Sequence, residues 1–213
     1  MTKEEKVIKY YMICNKLKSL IRSGWIKWNL EGDRLESVAE HIYGVQMLAI
    51  SMWSEYKYDI DLEKVILMLA VHELEETVIG DLTIFDIEKS DKIKLGHDAV
   101  CNILSDLDKG DKIKNLIFEF DDRKTKEALF AHYCDKLECD IQAKIYDDRG
   151  YVSLRKQDNN KVFKDKDVKK YLDEYKSFSG MWLKFGQDKY NYDNNFKEVS
   201  DYLLNNDIKD MLN

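Results

Sequence analysis

Leu67-Met68-Leu69-Ala70-Val71-His72-Glu73-Leu74-Glu75-Glu76-Thr77-Val78-Ile79-Gly80-Asp81 runs from an unbroken apolar segment straight into a turn crowded with ionisable side chains. The apolar part predicts a buried helix, and the pattern extends that helix from Leu62 to Val78, with Gly80 closing it. At about 100° per residue, His72 and Glu76 share a face one turn apart, with Glu73 beside them. An imidazole and several carboxylates next to a buried turn are costly unless something pairs with them. A metal ion is one partner that meets the cost, with a carboxylate left over for proton transfer. Taken alone, the stretch is more simply a hydrogen-bonded core histidine beside solvated glutamates. The rest of the chain decides between the two.

Its 213 residues suit a single domain with a sizeable core, spanning 1–213 with the core over about 5–146 and a helical extension over about 150–213. Charged residues make up 35% and aromatics 12%, which is neither a disordered nor a membrane composition. No apolar run approaches the roughly 20 residues that cross a bilayer, and Met1-Thr2-Lys3-Glu4-Glu5-Lys6 is no signal peptide, so a cytoplasmic location is expected. A formal charge of −7 argues against a nucleic-acid polymer as ligand. A small anion held by a metal stays open, because the ion brings its own positive charge. Cys14, Cys101, Cys134 and Cys139 form no CxxC pair and read as reduced, mostly buried thiols. Zero prolines, 9 glycines and sparse two-residue alternation make the fold class all-α.

Upstream, Glu4 to Arg22 reads as one amphipathic helix with Val7, Ile8, Tyr11, Met12, Leu17, Leu20 and Ile21 on its apolar face, ended by Ser23-Gly24. Trp25 to Asp33-Arg34 follows as a loop. Ser37 with Glu40 three residues on has the form of a capping box, so a helix starts there, buried through Val38, Ile42, Val45, Leu48, Ala49 and Met52, with His41 on or beside that face. Downstream, Thr83 to Asp91 reads as a polar surface loop, and helices follow at about Ile93–Leu107 and Asp111–Phe120. Thr125 to Tyr146 is densely apolar and holds Asp135, a carboxylate flanked by core residues. Asp147-Asp148-Arg149-Gly150 ends it. One or two further helices are expected, near Asp165–Ser177 and Asn194–Asn205.

The order His41, His72-Glu73 and Asp135, on three separate predicted helices, resembles the HD-domain metal phosphohydrolases, whose pattern is His, His-Asp, Asp. More narrowly, Glu36-Ser37-Val38-Ala39-Glu40-His41 is similar to the E-[SN]-V-[AS]-[ED]-H block of the 5′-deoxynucleotidases of that family, the YfbR-like group and its eukaryotic relatives. His72 to Asp81 is similar to the group's H-D-x-x-E-x-x-x-G-D. Arg22-Ser23-Gly24-Trp25 lies where its Arg/Trp substrate motif lies, and Tyr133-Cys134-Asp135-Lys136-Leu137-Glu138 resembles its last metal block. The match covers roughly 5–145. Two departures stand out: the paired dipeptide reads His-Glu rather than His-Asp, and the segment from Trp25 to His41 is slightly longer. His97-Asp98, the one true His-Asp pair, lacks the preceding apolar run and the following Glu and Gly-Asp, and reads as a decoy.

The resemblance implies an HD-domain bundle of five core helices with peripheral C-terminal helices. It also implies one divalent ion held by His41, His72, Glu73 and Asp135. Two imidazoles with two carboxylates suit Mn, Fe, Co or Zn better than Mg or Ca. Glu76 is then the candidate general acid/base, and Asp81 a contact for a sugar hydroxyl or the attacking water. By the same resemblance Arg22 grips the phosphate of a nucleotide substrate, Trp25 packs on the sugar, and a homodimer is expected. Lys136 is a candidate second phosphate contact or a surface lysine, and His132 a neighbour of the site or a core residue. The implied activity is removal of the 5′-phosphate from 2′-deoxynucleoside 5′-monophosphates. The alternatives are hydrolysis of another phosphorylated small molecule, such as a nucleoside triphosphate or an alarmone, and a catalytically idle metal- or nucleotide-binding regulator.

Overall fold

The computed structural model describes residues 1–83, 85–209 and 211, and among these it is all-α, as composition and periodicity predict. The one β feature among them is an isolated antiparallel bridge between Ile21 and Ser37. No described helix is long and apolar enough to cross a membrane. The chain divides into two compact units, Met1–Ser23 with Glu36–His132, and Gly24–Leu35 with Tyr133–Asn213.

In the first unit, α1 (Lys3–Asn15) begins at a capping box formed by Thr2 and Glu5. The expected single helix from Glu4 to Arg22 is not formed: α1 ends at Asn15 and a 3-10 turn, Lys16–Lys18, follows. Within α1 the predicted apolar face is also the wrong one, although Leu17 beyond it is buried as expected. Val7, Ile8, Tyr11 and Met12 are exposed, while Tyr10, Ile13 and Cys14 pack on the core cluster of Val71, Leu74, Val100, Ile103, Leu104 and Ile117. Apolar residues occupy seven of the eight positions from Val7 to Cys14, so periodicity cannot choose a side.

Beyond α1 the backbone is stitched to the start of the next long helix. Arg22 N–H donates to Glu36 O at 3.0 Å and Val38 N–H to Leu20 O at 2.8 Å. α3 (Val38–Glu55) then opens on the expected capping box, with Ser37 and Glu40 each satisfying the other's backbone N–H. It buries Val38, His41, Val45, Ala49 and Met52. The intervening short helix, α2 (Ser23–Lys27), lies where a loop was expected.

α4 (Leu62–Val71) is capped by Asp61 and packs on α3. The expected continuation to Val78 is broken. His72 is the last cap residue, and a turn carries the chain to α5 (Glu76–Ile79), which Gly80 ends at φ +76°. In that turn the hydrogen bonds tighten to three-residue spacing, Leu74 N–H to Val71 O and Glu76 N–H to Glu73 O, reinforced by the Thr77 hydroxyl on Leu74 O. α6 (Lys89–Leu104) and α7 (Gly110–Asp122) pack on each other, and α7 also packs on α4.

α8 (Lys126–Asp148) follows the predicted dense apolar stretch, and Gly150 turns the chain at φ +73°. In the second unit three helices, not one or two, succeed it: α9 (Lys166–Tyr175), α10 (Phe178–Tyr190) and α11 (Asn194–Asn205). Asp165, Ser177 and Asp193 cap them in turn. Trp28, Phe163, Phe178, Trp182 and Phe185 form an edge-to-face aromatic cluster there. Gly186 is required by a close approach, since a Cβ there would land on the Asp140 carboxylate, which also accepts the Tyr192 hydroxyl at 3.2 Å. The cysteines are free, but only Cys134 is buried; Cys14 and Cys139 are half-buried and Cys101 is exposed.

Candidate functional site

The apolar stripe of α4 (Val65, Met68, Leu69, Val71) sinks the helix so that its terminating residue, His72, is itself buried. His72 Nδ1 lies 2.7 Å from Leu69 O. A carbonyl can only accept, so Nδ1 carries the proton and Nε2 presents its lone pair. Phe120 of α7 backs the ring at 5.0 Å between centroids, and His132, also buried, stands edge-on to Phe120 at 6.1 Å. His132 is thereby a core residue of this wall.

His41 is wholly buried on α3, its ring centroid 5.6 Å from that of His72. Glu73 Oε1 lies 3.6 Å from His72 Nε2 and 3.9 Å from His41 Nε2. These separations exceed a hydrogen bond, so two imidazoles and a carboxylate face a common point without bonding one another. Asp135, buried on α8, completes the group: His41, His72, Glu73 and Asp135 each offer one potential ligand atom, and those atoms all lie within 4.8 Å of one another. Such a buried set of two nitrogens and two carboxylates could bind a metal ion.

Around Glu73 the charges are layered. Arg22 Nη1 is 3.4 Å from Glu73 Oε1 and 3.8 Å from Asp81 Oδ1. Asp81 in turn holds the backbone that carries Arg22: its Oδ2 accepts Ser23 N–H at 2.6 Å, and its carbonyl accepts the Ser23 hydroxyl at 2.7 Å. Glu76 is buried, with Oε1 taking Lys92 Nζ at 3.3 Å and Oε2 making no hydrogen bond. Burial pushes its carboxyl well above the usual carboxylate range, and Glu73 and Asp81 add to the rise, opposed by Lys92 and Arg22. Glu75, fitted against Gly96 of α6, is pushed up to about 8 by burial first and Glu73 second.

Lys92 is the residue that sequence reading missed. It reaches Glu76 from α6, sixteen positions on, and no local spacing marks it among the 34 Lys and Arg residues of the chain. The break after Val71 also alters the geometry on which Glu76 was first placed, since the turn is tighter than an α-helical one.

In the second unit, Asp135 Oδ2 is bound by Lys136 Nζ at 2.7 Å, and the Lys136 ammonium stands 5.9 Å from the Tyr190 ring centroid. Trp25, in α2, is buried edge-to-face on Tyr146 at 5.2 Å. His97 belongs elsewhere, as expected of a decoy: it stacks on Phe118 at 3.8 Å and pairs with Asp121 at 2.8 Å.

Comparison with known proteins gives the family and the fold. The family model of the HD domain matches residues 14–177. The 5′-deoxynucleotidase HDDC2 of Dictyostelium discoideum is 36% identical over 148 residues, covering 66% of this chain and 77% of that protein. Its namesake in Danio rerio is 29% identical over 147 residues, covering 68% and 71%. Among solved structures, a protein of Pyrococcus horikoshii superposes with a TM-score of 0.67 at 21% identity, covering 92% of this chain and 98% of its own, a likeness of fold. With a matched span that runs through His41, His72, Glu73 and Asp135, the chain belongs to the HD-domain phosphohydrolases, and carries His72-Glu73 where their paired dipeptide reads His-Asp.

Proposed function

We propose that this protein hydrolyses 2′-deoxynucleoside 5′-monophosphates to the deoxynucleoside and inorganic phosphate, using one divalent ion held by His41, His72, Glu73 and Asp135. The observation that carries the reading is the convergence of those four donors within 4.8 Å, supported by the 5′-deoxynucleotidase names of the relatives. The donor set fits such an ion. His72 is held in the tautomer that leaves Nε2 able to ligate, and the mixed nitrogen and carboxylate shell favours Mn, Co, Fe or Zn. An ion there supplies Lewis acidity to a phosphoryl group and lowers the pKa of water.

The chain's own groups divide the remaining work. Arg22, between Glu73 and Asp81, offers a guanidinium to the phosphate, and Asp81 holds the Arg22-Ser23 backbone in place while remaining a contact for a sugar hydroxyl or water. Glu76 takes a proton from the attacking water through Oε2 and returns it to the departing 5′-oxygen. Lys92 fixes Oε1 and opposes protonation of Glu76 in a setting that otherwise favours it. Trp25 is assigned to the deoxyribose, and Lys136 to a second phosphate contact in competition with Asp135.

The test is phosphate release from a panel of deoxy- and ribonucleoside monophosphates with Mn, Co, Fe or Zn added. Turnover of the deoxy compounds that vanishes in Glu76→Ala, with metal content retained, supports the assignment. Turnover confined to triphosphates or alarmones replaces the substrate, and tight nucleotide binding without turnover replaces the enzyme by a regulator.

A further inference from the structure

Part of α8 is held by a segment outside the span that matches the HD-domain model. That match ends at residue 177, and α10 starts at Phe178. α10 runs so close to α8 that a Cβ on Gly186 would meet the Asp140 carboxylate. One turn on from Gly186 is Tyr190, and one turn back from Asp140 is Lys136. This pair meets too: the Lys136 ammonium stands 5.9 Å from the Tyr190 ring centroid, with Asp135 Oδ2 2.7 Å from its nitrogen. The chain that follows α10 is pinned on both sides of the pair. The Tyr133 hydroxyl donates to Asn191 O at 3.1 Å, and the Tyr192 hydroxyl to Asp140 Oδ2 at 3.2 Å. Asn191 makes the turn between them in the left-handed region, at φ +51°. Tyr190-Asn191-Tyr192 is thus laid along α8 from Tyr133 to Asp140, with Lys136 in between.

We propose that Tyr190 is a positioning residue for phosphate binding, its ring face holding the Lys136 ammonium at a fixed place beside Asp135. The proposal rests on the reading of Lys136 as a second phosphate contact. A lysine ammonium rides on a flexible four-carbon stem, so it binds an anion well only where something limits its freedom. Asp135 alone would draw it in as far as the stem allows and leave it as the carboxylate's own counter-ion. A ring face pulls from a second direction and differs from a second carboxylate in what it takes. It attracts the charge but accepts no N–H hydrogen bond in the plane of a lone pair, so the donors that Asp135 does not use stay available to phosphate oxygens. The plainer role for Tyr190, packing between α10 and α8, predicts no link to Lys136, and the two roles separate by experiment.

Binding of inorganic phosphate to the full-length, Mn-supplemented protein, followed by calorimetry, reads the contact without needing turnover. Lys136→Met should weaken it at least about tenfold. Tyr190→Leu should weaken it about three- to tenfold, while Tyr190→Phe, which keeps the ring face, stays within about twofold of the wild type. In the Lys136→Met background, Tyr190→Leu should change nothing further. Tyr190→Met repeats the aliphatic test with a side chain that adapts to the space left, in case the leucine variant does not fold. With a 2′-deoxynucleoside 5′-monophosphate the same losses should appear in KM, with kcat within about twofold. A loss from Tyr190→Leu that is equal in both backgrounds overturns the proposal and leaves Tyr190 a packing residue. So does phosphate binding that Lys136→Met weakens and both aliphatic variants leave intact. If Lys136→Met itself has no effect, the phosphate role of Lys136 fails and the proposal falls with it.

Discussion

Lys92→Met removes the cation that stands 3.3 Å from Glu76 Oε1 and leaves the carboxylate among Glu73 and Asp81. At that distance, with an effective dielectric near 20, the Coulomb attraction is about 5 kcal/mol. The Lys92 side chain is 29% exposed and solvent screens it, so about 2 kcal/mol is the more realistic loss, or roughly 1.5 pH units. The direction is fixed by charge. Burial already holds Glu76 above the usual carboxylate range, and losing a nearby cation raises it further. If Glu76 must be ionised to accept a proton, the acidic limb of kcat/KM moves up by roughly 1–2 pH units, and the rate at pH 7 falls roughly 10- to 100-fold. The high-pH plateau should hold within a few-fold, and Lys92→Arg should bring the limb most of the way back. The assay is phosphate release from a 2′-deoxynucleoside 5′-monophosphate between pH 5 and 9. A limb that stays where it was, or a loss equal at every pH, refutes the role given to Lys92.

Glu75 is held neutral up to about pH 8 against an ordinary value of 4.5, so its contribution to folding is full below pH 4.5 and erodes as pH rises toward 8. Glu75→Gln should therefore match the wild type near pH 4.5 and exceed it by about 2–4 kcal/mol at pH 8.5 in urea unfolding of the metal-free protein; a constant difference between the two pH values contradicts this. Gly186→Ala puts a methyl on the Asp140 carboxylate and should cost about 1–3 kcal/mol, read as a lower Tm with little change in KM. Adding the preferred divalent ion at about 100 times its Kd should stabilise the fold by about 2.7 kcal/mol, and His72→Ala should abolish most of that gain; a Tm indifferent to metal removes the four-donor centre.

What the amino-acid order disclosed was what short-range chemistry determines. Ser37 and Glu40 announce the start of α3 because a capping box is complete within four residues, and α11 begins and ends where the pattern placed it. The four candidate ligands were legible only through the order in which they resemble the HD-domain pattern; the cost of burying them flags the positions, but taken alone His41 and His72 read more simply as core histidines. What stayed hidden depended on distant partners. From Val7 to Cys14, α1 is apolar nearly all round, so only the packing of Tyr10, Ile13 and Cys14 on the core decides which side faces in. The break after Val71 coincides with a side-chain bond, His72 to Leu69 O, in a segment whose composition favours continued helix. α10 escaped notice because its Phe, Gly, Trp, Lys and Gln obscure a clean period. Lys92 reaches its carboxylate through tertiary structure alone.

The two backbone bonds that join Leu20 and Arg22 to Val38 and Glu36 close off everything between them as an excursion with both ends anchored. Trp25 and Trp28 pin parts of it by packing, but around exposed Asp33 the contour can lengthen without dragging the guanidinium at one end or His41 at the other, since each doubling of a flexible loop adds only about 0.6 kcal/mol of entropy cost. Insertions at such exposed positions would accordingly leave Arg22 and His41 in register.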